Sequence, residues 1–276
     1  MSLHPVPAIR ERVEEAKAAV LAQVGLLEAS FKRAETRWKS DGTRVTAVDL
    51  AISADIVARL SRRFPKDQFF SEELTEAAEP IPVTSRCAWV LDPIDGTNNY
   101  AMGIASCAIS LALLEDGWPV YGVIYDFSRR TLIHGGPGVG VFDGDQPVRV
   151  RTDPLGPQSL IGFHAPSDKR FTGHVVDVAA QAKLRALGSS TLHLAYVAVG
   201  ILDGTVDHNV KVWDIAAAVP LVEAGGGCVM YLNGPVFPLR AFDLRMGRIF
   251  YVAGSPAVAA RLRDILAARV IPATGE

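Results

Sequence analysis

The sequence predicts an α/β protein in which helices pack on sheets in layers, with a mixed or antiparallel sheet in the first half. Segments with apolar residues three, four and seven positions apart, typical of amphipathic helices, occur in the first sixty residues. Short continuous apolar runs, typical of buried strands, fill the middle. No linker and no internal repeat divides the chain, so we expect a single domain of two tightly fused halves, roughly 1–150 and 151–276.

The first half is predicted to begin with two helices, over residues 7–30 and 46–60. Thr46 and Asp49 have the spacing of a capping box at the start of the second helix, and Phe64-Pro65 is expected to end it. Asp116-Gly117 predicts a hairpin, and the glycine-rich run 135–140 lacks the lysine of a phosphate-binding P-loop, which favours another hairpin turn. The predicted strands are 68–70, 87–91, 107–114, 118–125, 131–133 and 139–142.

The second half is predicted to alternate between strands and helices. Strands are expected at 159–163 and 249–253. Gly225-Gly226-Gly227 stops one helix, and Ser255-Pro256 opens the C-terminal one. The other predicted helices are 173–183, 191–199 and 213–223.

Composition excludes several classes of protein. Of the 276 residues, 49% are hydrophobic and 21% charged, which excludes a disordered chain. A net charge of −2 argues against a nucleic-acid binder held by a basic surface. Three widely spaced cysteines make no disulfide framework. The first residues lack the apolar core of a signal peptide, and no apolar run is long enough to span a bilayer. We therefore expect a cytoplasmic protein without a membrane partner.

The strongest chemical signal lies in residues 89–100. A buried strand runs directly into Asp92 and Asp95, and the proline between them, which has no N–H for a sheet, is expected to end that strand. Gly96 allows the backbone to approach a ligand, and a helix opened at Thr97 offers N–H groups to an anion. Carboxylates for a hard cation beside an anion site suit a phosphate ester bridged by Mg²⁺. A plain Asx turn is the alternative interpretation.

Two further acidic positions accompany this motif. Glu72 follows a predicted strand, where a solvated loop is the alternative, and Asp214 begins an apolar helix, where a simple N-cap is the alternative. If these two carboxylates converged with Asp92 and Asp95, their formal charge of −4 would be strongly repulsive unless cations held them. Two Mg²⁺ neutralise that charge, and a third leaves a surplus for a phosphate dianion.

A family resemblance rests on the order and spacing of two motifs. The first is Asp92-Pro93-Ile94-Asp95-Gly96-Thr97, and the second is Trp213-Asp214 followed by Glu223-Ala224-Gly225-Gly226. Together they resemble the inositol monophosphatase family over about residues 39–231, and Glu72 falls where that family places its first acidic motif. The resemblance implies an α-β-α-β-α fold of the sugar-phosphatase type and lithium-sensitive, Mg²⁺-dependent hydrolysis.

The resemblance also implies the metal ligands. One ion would be bound by Glu72, Asp92 and the carbonyl of Ile94. A second would be bound by Asp92, Asp95 and Asp214. A third, more weakly held ion would be bound by Glu72 through water, so that the enzyme would use two or three Mg²⁺ ions.

The same resemblance assigns the catalytic groups. Thr97, hydrogen-bonded to Asp49, would orient or deprotonate the attacking water, and Glu72 is counted with them as catalytic. This role of Asp49 is compatible with the capping box. The backbone amides of Gly96 and Thr97 would hold the phosphate. Lys39 matches a family lysine near the cleft, although a solvated loop lysine is the alternative.

The alcohol side of the substrate is matched less closely. Gly188, Ser189, Ser190 and Asp207 fall where related enzymes contact sugar or inositol hydroxyls. Inositol-specific relatives tend to have Glu where this chain has Asp207 and Gly where it has Ser71, so the identity of the polyol stays open. A turn carboxylate is the alternative for Asp207.

We therefore predict an enzyme, a Mg²⁺-dependent phosphoric monoester hydrolase in which a metal-activated water attacks a small phosphate ester in line. The expected substrate is an inositol monophosphate or a related sugar or polyol phosphate. The alternatives are fructose 1,6-bisphosphate, histidinol phosphate or a 3′-phosphoadenosine nucleotide, or a regulatory role with a protein partner. The resemblance implies a homodimer.

Overall fold

The computed structural model describes residues 7–39, 42, 44–75 and 79–268. The helices are α1 Pro7–Leu21, α2 Val24–Ser30, α3 Ala47–Arg63, α4 Thr97–Met102, α5 Thr172–Ala179, α6 Ser190–Ala198, α7 Val212–Ile215, α8 Ala218–Ala224 and α9 Pro256–Ala267. The strands are β1 Thr36–Trp38, β2 Arg44–Thr46, β3 Gln68–Ser71, β4 Ile81–Pro82, β5 Cys87–Asp95, β6 Ala108–Glu115, β7 Trp118–Asp126, β8 Thr131–Gly136, β9 Gly140–Asp143, β10 Gln146–Val148, β11 Leu160–Phe163, β12 Lys183–Arg185, β13 Gly204–Val210, β14 Cys228–Tyr231, β15 Ala241–Phe242 and β16 Ile249–Gly254.

The first large sheet has the order β10-β9-β8-β7-β6-β5-β3. Its neighbouring strands are antiparallel, except that β3 and β5 are parallel, so the sheet is mixed, as predicted for this half. The predicted hairpin at Asp116-Gly117 is present between β6 and β7. Both residues have positive φ, 51° and 82°, which a tight two-residue hairpin turn requires.

The second sheet has the order β12-β11-β13-β16-β14. β11 is parallel to both of its neighbours, whereas β16 is antiparallel to β13 and β14. Because β11 and β13 are parallel, their carboxyl ends lie at the same edge of the sheet. Two small two-stranded pairings, β1 with β2 and β4 with β15, lie outside these sheets.

The helices and sheets form five layers, which three apolar cores hold together. The first core joins α1 and α3 to one face of the seven-stranded sheet. The second joins the other face of that sheet to α6, α7 and α8 and, beyond them, to the five-stranded sheet. The third joins the remaining face of the five-stranded sheet to α5 and α9. This α-β-α-β-α arrangement confirms the predicted fold class.

The two sheets fall on either side of residue 150, where the sequence suggested the division between halves. β10 ends at Val148 and β11 begins at Leu160. The central core nevertheless takes residues from both halves, such as Val90 and Leu221. The shared core therefore joins the two sheets.

The predicted helix over residues 7–30 is interrupted between α1 and α2. At the interruption the N–H of Gln23 donates to the carbonyl of Val20 at 3.1 Å, a tighter turn than that of an α-helix. The buried side chain of Gln23 also donates to Asp55 of α3 at 2.5 Å. The break is thus associated with a buried polar contact, which the spacing of apolar residues does not reveal.

The predicted helix over residues 213–223 is likewise two short helices, α7 and α8. Pro220 has no N–H for the preceding turn, which favours a break before it. The linking residue Ala217 presses its backbone against β7, where a Cβ atom placed on Gly122 would lie 1.8 Å from the Ala217 carbonyl oxygen. Glycine is therefore required at position 122 for the helix layer to approach the sheet.

Some strands were not predicted. The end of the predicted helix 173–183 is wrong, because α5 stops at Ala179 and Lys183 begins the edge strand β12. β13 was missed because Asp207, His208 and Asn209 interrupt its apolar pattern. Buried polar residues obscured the strand, and burial of that kind is itself a feature of functional sites.

The structure contains neither a disulfide nor a membrane-spanning helix among the described residues. Cys87, Cys107 and Cys228 are free thiols, as their number and spacing predicted. No described helix is both long and apolar enough to cross a bilayer.

Replacement of Gly122 by alanine is expected to destabilise the fold strongly. The added methyl group meets a backbone carbonyl that cannot rotate away, so we expect a loss of about 3 kcal/mol in the free energy of unfolding, measured in urea. Gly25→Ala is the matched control, because nothing lies within 4 Å of a Cβ there and alanine favours the helix. Equal stability of the two variants would contradict the proposed close contact.

Candidate active site

Asp92 and Asp95 are positioned by an irregularity in β5. The strand does not end at Pro93, as the sequence suggested. It continues to Asp95 with a register shift, in which Asp92 pairs with Ser110 and Asp95 with Ala108. A bulge accommodates the proline, which cannot donate to the ladder. In a regular strand, residues three apart point to opposite faces, so the bulge is what allows both carboxylates to reach one place.

Asp214 reaches the same place from the helix layer. It is the third residue of α7, rather than its N-cap, and its carboxylate accepts the N–H of Lys211 at 2.7 Å. The hydroxyl of Thr191 in α6 donates to the Asp214 carbonyl at 2.8 Å and so fixes the start of α7 against α6.

Oxygens from Asp92, Asp95 and Asp214, here called the acidic cluster, lie within 4.8 Å of one another. Burial, followed by the charges of Glu72 and Asp95, raises the pKa of Asp92 well above its ordinary value. Burial and then the charge of Asp95 do the same for Asp214. Burial raises the pKa of Asp95 to about 6, although hydrogen bonds from Ser189 and Thr191 oppose the rise.

The acidic cluster suits a hard cation. Carboxylate oxygens are the ligands that Mg²⁺ prefers in proteins, and a cation would relieve the repulsion that raises these pKa values. The donor set, with neither a thiol nor an imidazole, offers nothing to a softer metal.

Glu72 lies beside the acidic cluster, but its carboxylate is paired with the side chain of a lysine, Lys39. Lys39 donates to Glu72 at 2.7 Å and to Glu73 at 2.5 Å. Burial opposes the charge of Lys39, yet the two glutamates raise its pKa above the ordinary value. Burial and the charge of Glu72 raise the pKa of Glu73 to about 7. The structure therefore brings Glu72 near the cluster without including it in the three-carboxylate group.

Gly96 forms the turn between β5 and α4. Its φ of 86° favours glycine, and a Cβ would lie 2.8 Å from the carbonyl oxygen of Ser106 and 3.2 Å from that of Gly188. The phosphate-binding and alcohol-binding segments predicted from the sequence are thus direct neighbours. Gly188 itself has a φ of 73° and lies against the side chain of Asn99.

Thr97 and Asp49 are close together, 48 positions apart in the chain. The Thr97 hydroxyl lies 2.8 Å from the carbonyl oxygen of Ile94 and 3.3 Å from Asp49. The other oxygen of Asp49 accepts the backbone N–H of Thr46 at 2.8 Å, which completes the predicted capping box. Burial raises the pKa of Asp49 to about 6. Asp49 therefore caps α3 and faces Thr97 at once.

Ser189 is in direct contact with the carboxylate of Asp95. As the N-cap of α6 it accepts the N–H of Leu192 at 3.2 Å, while its hydroxyl donates to the Asp95 carboxylate at 2.5 Å. The N–H of Thr191 donates to the same oxygen, Oδ2, at 2.7 Å. The start of α6 thus fixes one oxygen of Asp95 and leaves Oδ1 available to a ligand.

Asp207 is not in a turn but within β13, fully buried. Its carboxylate accepts the hydroxyl of Ser190 and the N–H of Asn209, both at 2.9 Å, and lies 3.8 Å from a ring nitrogen of His164. Burial raises its pKa, which hydrogen bonds and the charge of His164 oppose.

Sequence reasoning missed two groups beside the site. Thr191 follows the N-cap Ser189 by two positions. Recognition of Ser189 as an N-cap would have indicated that the backbone N–H of Thr191, in the first turn of the helix, is free to bind another group. Tyr251 lies opposite Asp207 in the sheet, fully buried, and its hydroxyl has no hydrogen-bond partner among the described residues. Burial and the charges of Asp207 and Asp214 raise its pKa well above the ordinary value. No local pattern signals this neighbour, because it depends on strand pairing.

Comparison with known proteins extends the resemblance over nearly the whole chain. The profile of the inositol monophosphatase family matches residues 8–272. The probable inositol 1-monophosphatase ImpA of Mycobacterium tuberculosis is 35% identical, with 96% of this chain and 97% of that protein covered. Nus factor SuhB of Xylella fastidiosa is 32% identical, with 94% of each chain covered.

Solved structures agree. The extragenic suppressor protein SuhB from Bartonella henselae is 26% identical, with 95% of this chain and 98% of that chain covered and a TM-score of 0.77. An IMPase from Thermotoga maritima, at 23% identity, has a TM-score of 0.80 with 94% and 97% of the chains covered, a likeness of fold alone.

Proposed function

Because this chain belongs to the inositol monophosphatase family, we propose that it hydrolyses an inositol monophosphate or a related sugar or polyol phosphate with Mg²⁺. That it is an enzyme acting on phosphate monoesters follows from the family. The observation that supports the cofactor is the acidic cluster, in which three carboxylates converge although burial and mutual repulsion oppose their charges.

The proposed ligands of one ion are Asp92, Asp95 and Asp214. Those of another are Glu72, Asp92 and the carbonyl of Ile94, with a third ion held more weakly by Glu72 through water. When bound, the ions would polarise the phosphoryl oxygens and lower the pKa of a coordinated water. Lys39 donates to Oε1 of Glu72, so Glu72 would bind the ion through its other oxygen, Oε2.

The chain's own residues then bind and orient the reactants. We place the phosphate at the backbone amides of Gly96 and Thr97, where the absence of a side chain at position 96 keeps the turn narrow. The Thr97 hydroxyl, directed by Ile94 and Asp49, would orient the attacking water and pass its proton towards Asp49. We propose a direct in-line displacement, without a phosphoenzyme.

The alcohol is proposed to leave on the side of Gly188, Ser189 and Asp207. The hydroxyl of Ser189 donates to Asp95. Asp207 is buried, so it would act through the groups it orients, Ser190 and His164.

A panel of esters tests the substrate class, with phosphate release as the readout: inositol 1-phosphate, fructose 1,6-bisphosphate, histidinol phosphate and 3′-phosphoadenosine 5′-phosphate. Absence of Mg²⁺-dependent release from every ester, including a generic aryl phosphate, would contradict the proposal.

A regulatory role with a protein partner is the second candidate function. Its support is the relative named a Nus factor, at 32% identity. Binding of the purified chain to purified components of the transcription machinery would test it, and a catalytically inactive variant that still binds would separate the two roles.

We also propose that the chain is cytoplasmic and forms a homodimer. Light scattering of the purified protein would test the dimer by measuring its mass in solution.

Asp95→Asn is expected to reduce turnover at least about 10²-fold, the scale for loss of a key electrostatic group. The asparagine oxygen can still accept from Ser189 and Thr191, so the fold should be retained while Mg²⁺ affinity, measured by calorimetry, falls. Asp116→Asn is the matched control, because Asn-Gly suits the hairpin turn there. Near-normal turnover of Asp95→Asn at ordinary Mg²⁺ would remove Asp95 from the mechanism.

Thr97→Ala and Asp49→Asn are expected to be strongly non-additive in kcat. If the two side chains act as a pair, the second change removes an arrangement that the first has already broken. The double-mutant cycle is measured at saturating Mg²⁺, with unfolding free energies recorded in parallel. Losses that multiply independently would instead leave Asp49 with its capping role alone.

Li⁺ is expected to inhibit, uncompetitively with respect to the substrate, an effect that the family resemblance implies. Li⁺ is close in size to Mg²⁺ but carries half its charge, so in the site of Asp92, Asp95 and Asp214 it would hold product phosphate without supporting the next cycle. KCl at the same ionic strength is the control, because salt alone screens exposed charges. Equal inhibition by both salts would contradict a site-specific effect.

A further inference from the structure

A pair of buried hydroxyl groups joins the segments that carry Asp49 and Glu72. The hydroxyl oxygens of Ser53 and Ser71 lie 2.9 Å apart, and the two residues are 0% and 2% exposed. Ser53 belongs to α3 and Ser71 ends β3, so the bond links a helix to the seven-stranded sheet. A hydroxyl at this depth is costly unless it is hydrogen-bonded, so each of the two stabilises the other.

On the helix side, the hydroxyl pair lies one turn from Asp49. Ser53 follows Asp49 by four positions, and residues four apart lie on the same face of a helix. Both are buried on that face of α3. The carboxylate of Asp49 in turn faces the hydroxyl of Thr97 at 3.3 Å. A shift or rotation of α3 at Ser53 would therefore move the group that directs Thr97.

On the strand side, Ser71 holds the turn that carries Glu72. Its hydroxyl accepts the backbone N–H of Glu73 at 3.3 Å. Its own N–H donates to the hydroxyl of Thr75 at 3.0 Å, and its carbonyl accepts the N–H of Thr75 at 3.1 Å. The N–H of Glu72 donates to the carbonyl of Leu91 in β5 at 3.2 Å. Ser71 therefore fixes the direction in which the chain leaves β3.

The two segments joined by the hydroxyl pair carry charges that repel each other. Burial raises the pKa of Asp49 to about 6, and the negative charge of Glu72 adds to the rise. Burial and the charge of Glu72 raise the pKa of Glu73 to about 7, and Asp49 adds to that rise. This repulsion favours separation of α3 from the end of β3. A neutral hydrogen bond between Ser53 and Ser71 opposes the separation without adding a charge to the site.

We propose that Ser53 and Ser71 are positioning residues, which hold Glu72 and Asp49 at the separation that the bound Mg²⁺ and the attacking water require. The inference rests on the proposed function, because it concerns the site in which Glu72 binds the ion and Asp49 directs Thr97. In this role neither serine contacts the ion or the ester. The hydroxyl pair restricts both carboxylates before the ion arrives, and a preorganised site binds more tightly because less order has to be imposed on binding.

Calorimetric titration of the purified full chain with Mg²⁺ tests the proposal in the absence of any ester. We expect Ser53→Ala to weaken Mg²⁺ binding roughly 5-fold, the scale of one neutral hydrogen bond. Alanine favours a helix and is smaller than serine, so this variant should fold. Ser71→Ala should weaken binding at least as much. The double variant should bind no more weakly than Ser71→Ala, because the first change has already broken the pair.

Ser255→Ala is the matched control for stability. Ser255 is also buried, and as the N-cap of α9 its hydroxyl accepts the N–H of Val258 at 3.3 Å. This helix packs on the outer face of the five-stranded sheet, away from the acidic cluster. Loss of the cap should lower the free energy of unfolding in urea, as Ser53→Ala does, and leave Mg²⁺ affinity unchanged.

A purely structural role of the hydroxyl pair would be recognised by its effects. A Ser53→Ala variant that is less stable but binds Mg²⁺ like the wild type would overturn the inference. So would a Ser255→Ala variant that weakens Mg²⁺ binding equally, or losses that multiply independently in the double variant. Turnover gives a second readout, in which Ser53→Ala should need roughly 5-fold more Mg²⁺ for half-maximal phosphate release.

Failure of the proposed function would be seen separately, as a lack of Mg²⁺-dependent phosphate release from every ester of the panel. In that case the calorimetric comparison alone decides the inference. Weaker Mg²⁺ binding by the two serine variants than by Ser255→Ala would support it, and equal or absent binding of Mg²⁺ would overturn it.

Discussion

The mutual repulsion of three carboxylates is the constraint on which the rest of the site depends. Asp92, Asp95 and Asp214 are brought within 4.8 Å although burial and neighbouring charges raise their pKa values. Each is held by a different element: a bulge in β5, the start of α6 acting on Asp95, and the first turn of α7. The protein thus uses contacts in two layers, the seven-stranded sheet and the helix layer of α6 and α7, to hold together carboxylates that repel one another.

The sequence predicted the members of this cluster because each follows a recognisable local signal. Asp92 and Asp95 come at the end of an apolar strand, and Asp214 comes at the start of an apolar helix. The capping box of Thr46 and Asp49 and the hairpin at Asp116-Gly117 were predictable for the same reason. The five-layer fold was predicted through the family resemblance rather than from the spacing of residues.

The remaining features depend on contacts between distant residues. Ser189 and Thr191 bind Asp95 across more than 90 positions, and no spacing within either segment encodes that pairing. A turn was the alternative interpretation for Asp207 because Asp203-Gly204 lies nearby, whereas hydrogen bonds from Ser190 and Asn209 allow its burial within a strand. The prediction of continuous helices over 7–30 and 213–223 was wrong. A buried polar contact of Gln23 accompanies the first break, and the close contact of the Ala217 backbone with β7 accompanies the second.

The contact between Gly122 and Ala217 has a consequence for the dimensions of the site. Gly122 belongs to β7, two strands from the one that carries Asp92 and Asp95, and Ala217 follows α7, which carries Asp214. At this contact, the distance between the seven-stranded sheet and the helix layer is set by one backbone meeting another. Rotation of a side chain cannot change such a spacing, which leaves little freedom to the separation between the carboxylates carried by β5 and by α7. For the cation proposed to bind between them, ionic radius then becomes a basis for selection among ions of equal charge.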